Sequence, residues 1–152
     1  MNSSDYPMAM PAPAADLTPI DHALIAAVNA ASRVSSRKRI IQPLHKDASD
    51  GLQRMLNSLQ PGTYIRPHRH ARNRAESILV LTGAILYLTF DDTGNVIEKL
   101  QLEAGSDRMG IDTAGGIYHS FLALEPDTVL FEVKPGPYDP ASDKEFACLL
   151  YT

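Results

Sequence analysis

The sequence predicts a mainly β chain, an antiparallel sandwich or small barrel preceded by one short helix. Three observations predict it. From about residue 39 onward, nine or so short apolar segments alternate with turn signals such as "SDG", "QPG", "DDTGN", "EAGSD", "AGG" and "KPGP". No helix-length periodic segment follows residue 35, and no internal repeat or second domain is visible. At 152 residues and 44% hydrophobic, the chain is long enough to bury one core.

Taken in order, residues 1–15 are rich in Pro, Ala and Ser without periodicity and read as a flexible leader, with a single domain over 16–152. "TPIDHALIAAVNAASR" predicts a helix over about 18–33. Thr18 can cap it, Pro19 suits its first position, Asp21 favours the positive end of the dipole, and Ile20, Leu24, Ala27, Val28 and Ala31 form one apolar stripe. "SSRKR" follows as a polar connection.

The segments "RIIQPLH", "LQRMLNSL", "TYIRPHRH", "ESILVL", "AILYLTF", "VIEKLQL", "RMGI", "YHSFLAL" and "TVLFEV" then predict strands of a barrel over about 39–134. "TFDDTGNVIEKL" is the clearest hairpin, with an acidic, Gly-containing tip. On the strand "AILYLTF", Ile85, Tyr87 and Thr89 lie opposite Leu86, Leu88 and Phe90, and Val129, Phe131 and Val133 share a face read as core. The proline-rich tail 135–152 is expected to dock Phe146, Leu149 and Leu150 onto the body, or to cover a barrel mouth with Tyr138 and "YDPASDKEF".

A formal charge of −4 argues against general nucleic-acid binding, and the longest apolar runs are too short to span a bilayer. No secretion signal is legible at the N-terminus, and the single cysteine, Cys148, can form neither an internal disulfide nor a Cys-rich zinc site. A cytoplasmic location is the expectation.

The chemistry concentrates in "RPHRHARNRAE", residues 66–76. On a strand His68 and His70 point the same way, so their imidazoles can converge on one ion. Arg66 shares their parity and Arg69 does not. A bare H-x-H pair is as easily two exposed polar residues on an edge. Glu76, however, is the only carboxylate between Asp50 and Asp91, and it opens an apolar strand, where a charge needs a partner or a metal. His119 follows a Gly-Gly turn at the start of another strand, where it makes sense as a fourth convergent ligand. Arg69, Arg72 and Arg74 read as solvated loop charges. His22 is expected to be exposed in the helix, and His45 has no evident role.

These residues carry a resemblance. "PGTYIRPHRHARNRAESILVLTG" resembles the first cupin motif through Gly62, His68, His70, Glu76 and Gly83, and "GIDTAGGIYHSFLA" resembles the second through Gly116 and His119. "SSRKRIIQPLHKD", "LQRMLNSLQPGTYIRPHRH" and "LEPDTVLFEVKPGPYDPASDKEFA" look like one subgroup, the WbuC-type cupin-fold metalloproteins, over residues 35–147 or so. The pattern departs in three places. Five residues separate His70 from Glu76, Ala114 stands in place of proline, and Ala123 stands in place of asparagine.

The resemblance implies a double-stranded β-helix, a jelly-roll barrel, with a metal near its centre held by His68, His70, Glu76 and His119. Such donors suit one divalent transition metal and do not choose among Fe, Mn, Ni, Co and Zn. Arg66, facing the same interior, is expected either to bind a carboxylate or phosphate on a small-molecule ligand or to sit in an internal ion pair.

Cupins include isomerases, epimerases, dioxygenases and non-enzymatic binders, so the fold leaves catalysis undecided. WbuC-type proteins look like companions of bacterial surface-polysaccharide biosynthesis, which points to a sugar derivative. No nucleophile with an adjacent base and no phosphate loop is visible. A homodimer is the expected assembly, since cupin barrels often pair through sheet edges.

Overall fold

The computed structural model describes residues 8–147. One helix, α1 (His22–Val34), precedes ten strands: β1 (Arg39–Pro43), β2 (Leu52–Leu59), β3 (His68–Arg69), β4 (Glu76–Thr82), β5 (Ala84–Phe90), β6 (Val96–Glu103), β7 (Gly110–Thr113), β8 (Tyr118–Ala123), β9 (Thr128–Pro135) and β10 (Glu145–Phe146). They form two five-stranded antiparallel sheets, β1-β2-β9-β4-β7 and β10-β3-β8-β5-β6. The architecture is the expected jelly roll with one short helix.

Between the sheets, Leu59, Ile78, Val80, Ile85, Tyr87, Leu102, Phe121 and Leu130 make the main core. Burying each of these side chains contributes roughly 1.5–3 kcal/mol. Ile85 and Tyr87 face this core, as strand alternation requires, while Leu86 and Leu88 lie on the outer, half-buried face of β5. A second core lies on the other side of the first sheet, where Val28 of α1 packs against Ile40, Leu56 and Val129, with Phe131 alongside. The apolar face of β9 therefore faces the helix. Its other face carries Leu130, Glu132 and Lys134 toward the barrel interior.

The helix starts later than the sequence predicts. Asp21 is the cap, its carboxylate accepting from the Leu24 N–H at 2.9 Å, in place of Thr18. Ile20 precedes the helix and is exposed, and Ala27 is exposed on its outer face. Asn29 and Ser32 are buried instead, because the Ser58 hydroxyl bonds Asn29 Oδ1 at 2.7 Å and Ser32 Oγ at 2.9 Å.

Ahead of the helix, Ala9 bridges Ile41 in parallel fashion, the Met10 N–H donates to the Ile41 carbonyl at 2.8 Å, and the Lys46 ammonium reaches the carbonyls of Pro13, Ala14 and Ala15. The acidic hairpin tip closes on itself. Asp91 Oδ1 accepts from the Thr93 and Asn95 N–H groups, and the Asn95 amide returns to Asp91 Oδ2.

"TYIRPHRH" gives strand only at His68–Arg69. Pro67 has no N–H to donate to a ladder, so the chain enters β3 only beyond it. The proline-rich pattern of the tail predicts no strand, yet one forms. Gly136 and Tyr138 hydrogen-bond Gly51 and Ala48, and the chain then turns through Asp139–Asp143. It adds β10 beside β3, with Phe146 opposite His68. Cys148, Leu149 and Leu150 lie outside the described residues.

Candidate metal centre and its cavity

Three separate strands bring the predicted residues together. β3 carries His68, β8 carries His119 directly opposite it, and β4 begins at Glu76. His70 lies just past β3. The five residues between His70 and Glu76 are taken up in a turn closed by the Arg74 N–H on the Ala71 carbonyl at 2.8 Å. The "AGG" turn packs on that loop. The Gly116 N–H donates to the His70 carbonyl at 2.8 Å, and a Cβ on Gly115 would sit 2.1 Å from the Ala71 oxygen. Glycine there is what lets the start of β8, and hence His119, approach His70.

His68, His70, His119 and Glu76 are all at most 5% exposed. Each of the three histidines offers a ring nitrogen, and these nitrogens lie within 4.8 Å of one another. Each Nδ1 sits on a main-chain carbonyl: His68 on Arg66 at 2.9 Å, His70 on Asp143 at 2.6 Å and His119 on Ile117 at 3.0 Å. The carbonyl can only accept, so in a neutral ring the proton is on Nδ1 and Nε2 presents a lone pair.

Glu76 Oε2 lies 3.2 Å from His119 Nε2, and Oε1 lies 3.5 Å from His70 Nε2. With the rings neutral, these are acceptors facing acceptors. His70 Nε2, His119 Nε2 and Glu76 Oε2 are buried without a hydrogen-bond partner. Unpaired buried polar atoms are costly, and three of them aimed at one point fit a cation between them. Borderline imidazole donors with one carboxylate are a donor set for a mid or late first-row metal, and the Nδ1 contacts are those that orient ligating histidines.

The electrostatics agree. Burial, reinforced by the nearby Lys144 charge, pushes His68 down to about 2, so its ring is neutral. Burial raises Glu76, but positive hydrogens on the His119 and His70 rings and on Glu132 outweigh it and hold Glu76 well below the usual carboxylate range, the same pull that a cation in their place would exert. Tyr87 stacks on His119, with ring planes 9° apart and centroids 5.6 Å apart. Its hydroxyl is tied to Thr113 Oγ1 at 2.9 Å, and burial raises its pKa.

Beside the ligands opens a cavity of about 940 Å³, reaching from His68 and Glu76 to Arg37 and Arg39. Its walls also hold the charged side chains of Glu132, Lys134 and Asp143, for which the sequence pattern predicts no role. Glu132 accepts from the Asn57 amide at 2.5 Å, and burial, reinforced by the adjoining Glu76 charge, pushes it up to about 8. Lys134 pairs with Asp143 at 3.0 Å, and Arg74 reaches Asp143 at 3.5 Å and the Pro135 carbonyl at 2.7 Å.

Arg74 is therefore an internal tie, where a solvated loop charge was expected. Arg69 also departs from that expectation, pairing with Glu145 and lying over the Tyr118 ring at 4.4 Å. Arg72 is exposed. Arg66 is exposed at the cavity rim, with its guanidinium 4.7 Å over the Phe146 ring. It lies before Pro67, outside the strand on which its inward parity was argued. Tyr118 points away from His119, and its hydroxyl donates to Glu145 at 2.9 Å. His22 is exposed, and His45 is buried against the Arg54 main chain.

No described helix is long and apolar enough to cross a membrane. None of the curated proteins matches the chain. Among solved structures, it is similar to oxalate decarboxylase from Bacillus subtilis, with a TM-score of 0.51 and 20% identity over 64% of this chain and 24% of that one. Oxalate decarboxylase from Lactobacillus farciminis, in a formate complex, aligns with a TM-score of 0.50 and 24% identity over 65% and 28%. KdgF from Halomonas sp. aligns with a TM-score of 0.48 and 22% identity over 68% and 80%. The chain thus spans about a quarter of the length of the decarboxylases, and the likeness is one of fold: this is a cupin barrel. A family model described as a domain of unknown function, DUF6016, matches residues 20–102, a stretch that includes His68, His70 and Glu76. That match covers more than half of the sequence, and the chain belongs to the DUF6016 family.

Proposed function

We propose that His68, His70, Glu76 and His119 hold one divalent transition metal, and that the adjoining cavity receives a small polar or anionic molecule. The observation that carries this is the set of three Nδ1 atoms committed to carbonyls while Nε2 of His70 and His119 face Glu76 unpaired. A bound ion supplies Lewis acidity at the cavity floor. The chain's own residues do the rest. The main-chain carbonyls fix the imidazoles, Tyr87 backs His119, and Arg66 stands at the rim as a donor for an oxyanion.

The WbuC-like phrases over residues 35–147 or so favour a sugar derivative, and with it a role in surface-polysaccharide assembly in the cytoplasm. Turnover by an isomerase, epimerase or dioxygenase and simple metal-assisted binding both fit this geometry. A homodimer paired through a sheet edge, as cupin barrels suggest, is the assembly that goes with this reading.

Elemental analysis of the purified full chain and of His119→Ala tests the metal. One bound transition metal per chain, lost in the variant, is expected. A metal-free protein that takes up none of the five metals on reconstitution overturns the proposal. Iron with oxygen consumption on addition of candidate sugars would select the dioxygenase.

A further inference from the structure

"SSRKR" reads as a polar spacer, yet two of its arginines, Arg37 in the connection and Arg39 at the start of β1, line the cavity. Arg37, Arg39, Ile41 and Pro43 share one parity and line the same wall. Between the arginines, Lys38 takes a left-handed backbone, φ 55°, held by hydrogen bonds to Ser35 and Gln60. For a residue with a side chain this is an uncommon conformation, and it sets both neighbours on the wall.

Both guanidiniums are half-buried and anchored at one edge by neutral acceptors. Arg37 donates to the Met8 carbonyl at 2.8 Å, and Arg39 donates to Thr63 Oγ1 at 3.1 Å and the Tyr64 carbonyl at 2.7 Å. The ion pairs of Arg and Lys among the described residues involve Arg33, Arg69, Arg74 and Lys134, and neither Arg37 nor Arg39. Two half-buried like charges close together favour a counter-anion. A guanidinium has five donors, so the neutral contacts leave most of each fork for it.

We propose that Arg37 and Arg39 form a phosphoryl-binding subsite on the cavity wall, apart from Glu76 on β4. Two positive charges with no acidic partner among the described residues match a dianion better than a single carboxylate does, and planar forks suit its oxygens. β1 and β4 are three strand spacings apart in their sheet, about 14 Å. A ligand touching both this pair and the metal is therefore extended, with its phosphoryl group distal to the metal. This deepens the proposed function and rests on it for the identity of the second contact, though phosphate binding itself does not need the metal.

The test is a titration of the full chain, stripped of metal by chelation, with inorganic phosphate, read by calorimetry or ³¹P NMR. Saturable binding is expected, weakened at least tenfold in Arg37→Gln and in Arg39→Gln, and retained in Arg72→Gln, an exposed arginine outside the cavity. Arg39 also holds the Thr63–Tyr64 turn, so Arg37→Gln decides if the other variant unfolds. Unchanged phosphate affinity in Arg37→Gln, or acetate competing as well as phosphate, overturns the proposal. Failure of the metal reading shows instead as absent metal uptake with the phosphate titration intact.

Discussion

His70 Nδ1 meets the main-chain carbonyl of Asp143 at 2.6 Å across 73 positions of sequence. The Asp143 carboxylate is itself held by Lys134 at 3.0 Å and Arg74 at 3.5 Å. An ion-paired side chain in the tail thus fixes the carbonyl that orients a candidate ligand. Asp143→Asn removes one partner of a buried pair and is expected to destabilise the fold by about 3 kcal/mol. It is also expected to weaken metal binding by about 10–100-fold, as loss of support behind a ligand does. Thermal unfolding and chelator competition measure the two effects, and unchanged metal affinity would separate the tail from the site.

Metal should act as a stabilising ligand of the native state. At a free concentration 100 times its dissociation constant, the added stability is about 2.7 kcal/mol. Thermal melts of the chain with and without added metal check this, with His68→Ala as the variant expected to show no gain.

The glycines of the first motif differ in what they tolerate. Both Gly62 and Gly83 have positive φ, 84° and 73°. A Cβ on Gly83 would lie 2.3 Å from Thr128 Oγ1 and 3.0 Å from Thr128 Cα, whereas one on Gly62 meets only the mobile end of Lys38 at 2.9 Å. Gly62→Ala is expected to cost about 1–2 kcal/mol from backbone strain alone, and Gly83→Ala clearly more. Urea unfolding of the two variants compares them. Equal losses would mean that Thr128 moves aside.

The hairpin tip should be acid-sensitive. Hydrogen bonds from Asn95 and Thr93 lower Asp91 from its ordinary 3.8 to about 2. A carboxylate depressed in the folded state contributes stability that is complete above its unfolded pKa and is lost as pH falls through the folded one. Protection of the Thr93 and Asn95 amides, measured against the unstructured chain at the same pH, is therefore expected to fall between about pH 4 and pH 2, and to be already low in Asp91→Ala at neutral pH.

The barrel and its four convergent side chains were legible because alternation and two spaced motifs report them directly. The cavity's charged wall was not. In "VLFEVK" the apolar parity Val129, Phe131, Val133 looks like the core face and Glu132, Lys134 like the solvent face. Because α1 covers the outside of that sheet, the apolar parity packs under the helix, and the charged parity turns inward. Likewise Asp143 and Arg74 sit in a proline-rich tail and a loop, where no periodicity reports burial. Their partners are distant in sequence, so only tertiary contact reveals them.

The link between β3 and the tail bears on how the centre matures during synthesis. A nascent chain exposes His68 and His70 long before Asp143 exists to orient the second ring. An ion captured at that stage meets freely rotating imidazoles and exchanges readily. If the proposed centre holds a metal, tight retention would begin only once the tail has folded back to orient His70, and the ion present at that moment would be the one kept.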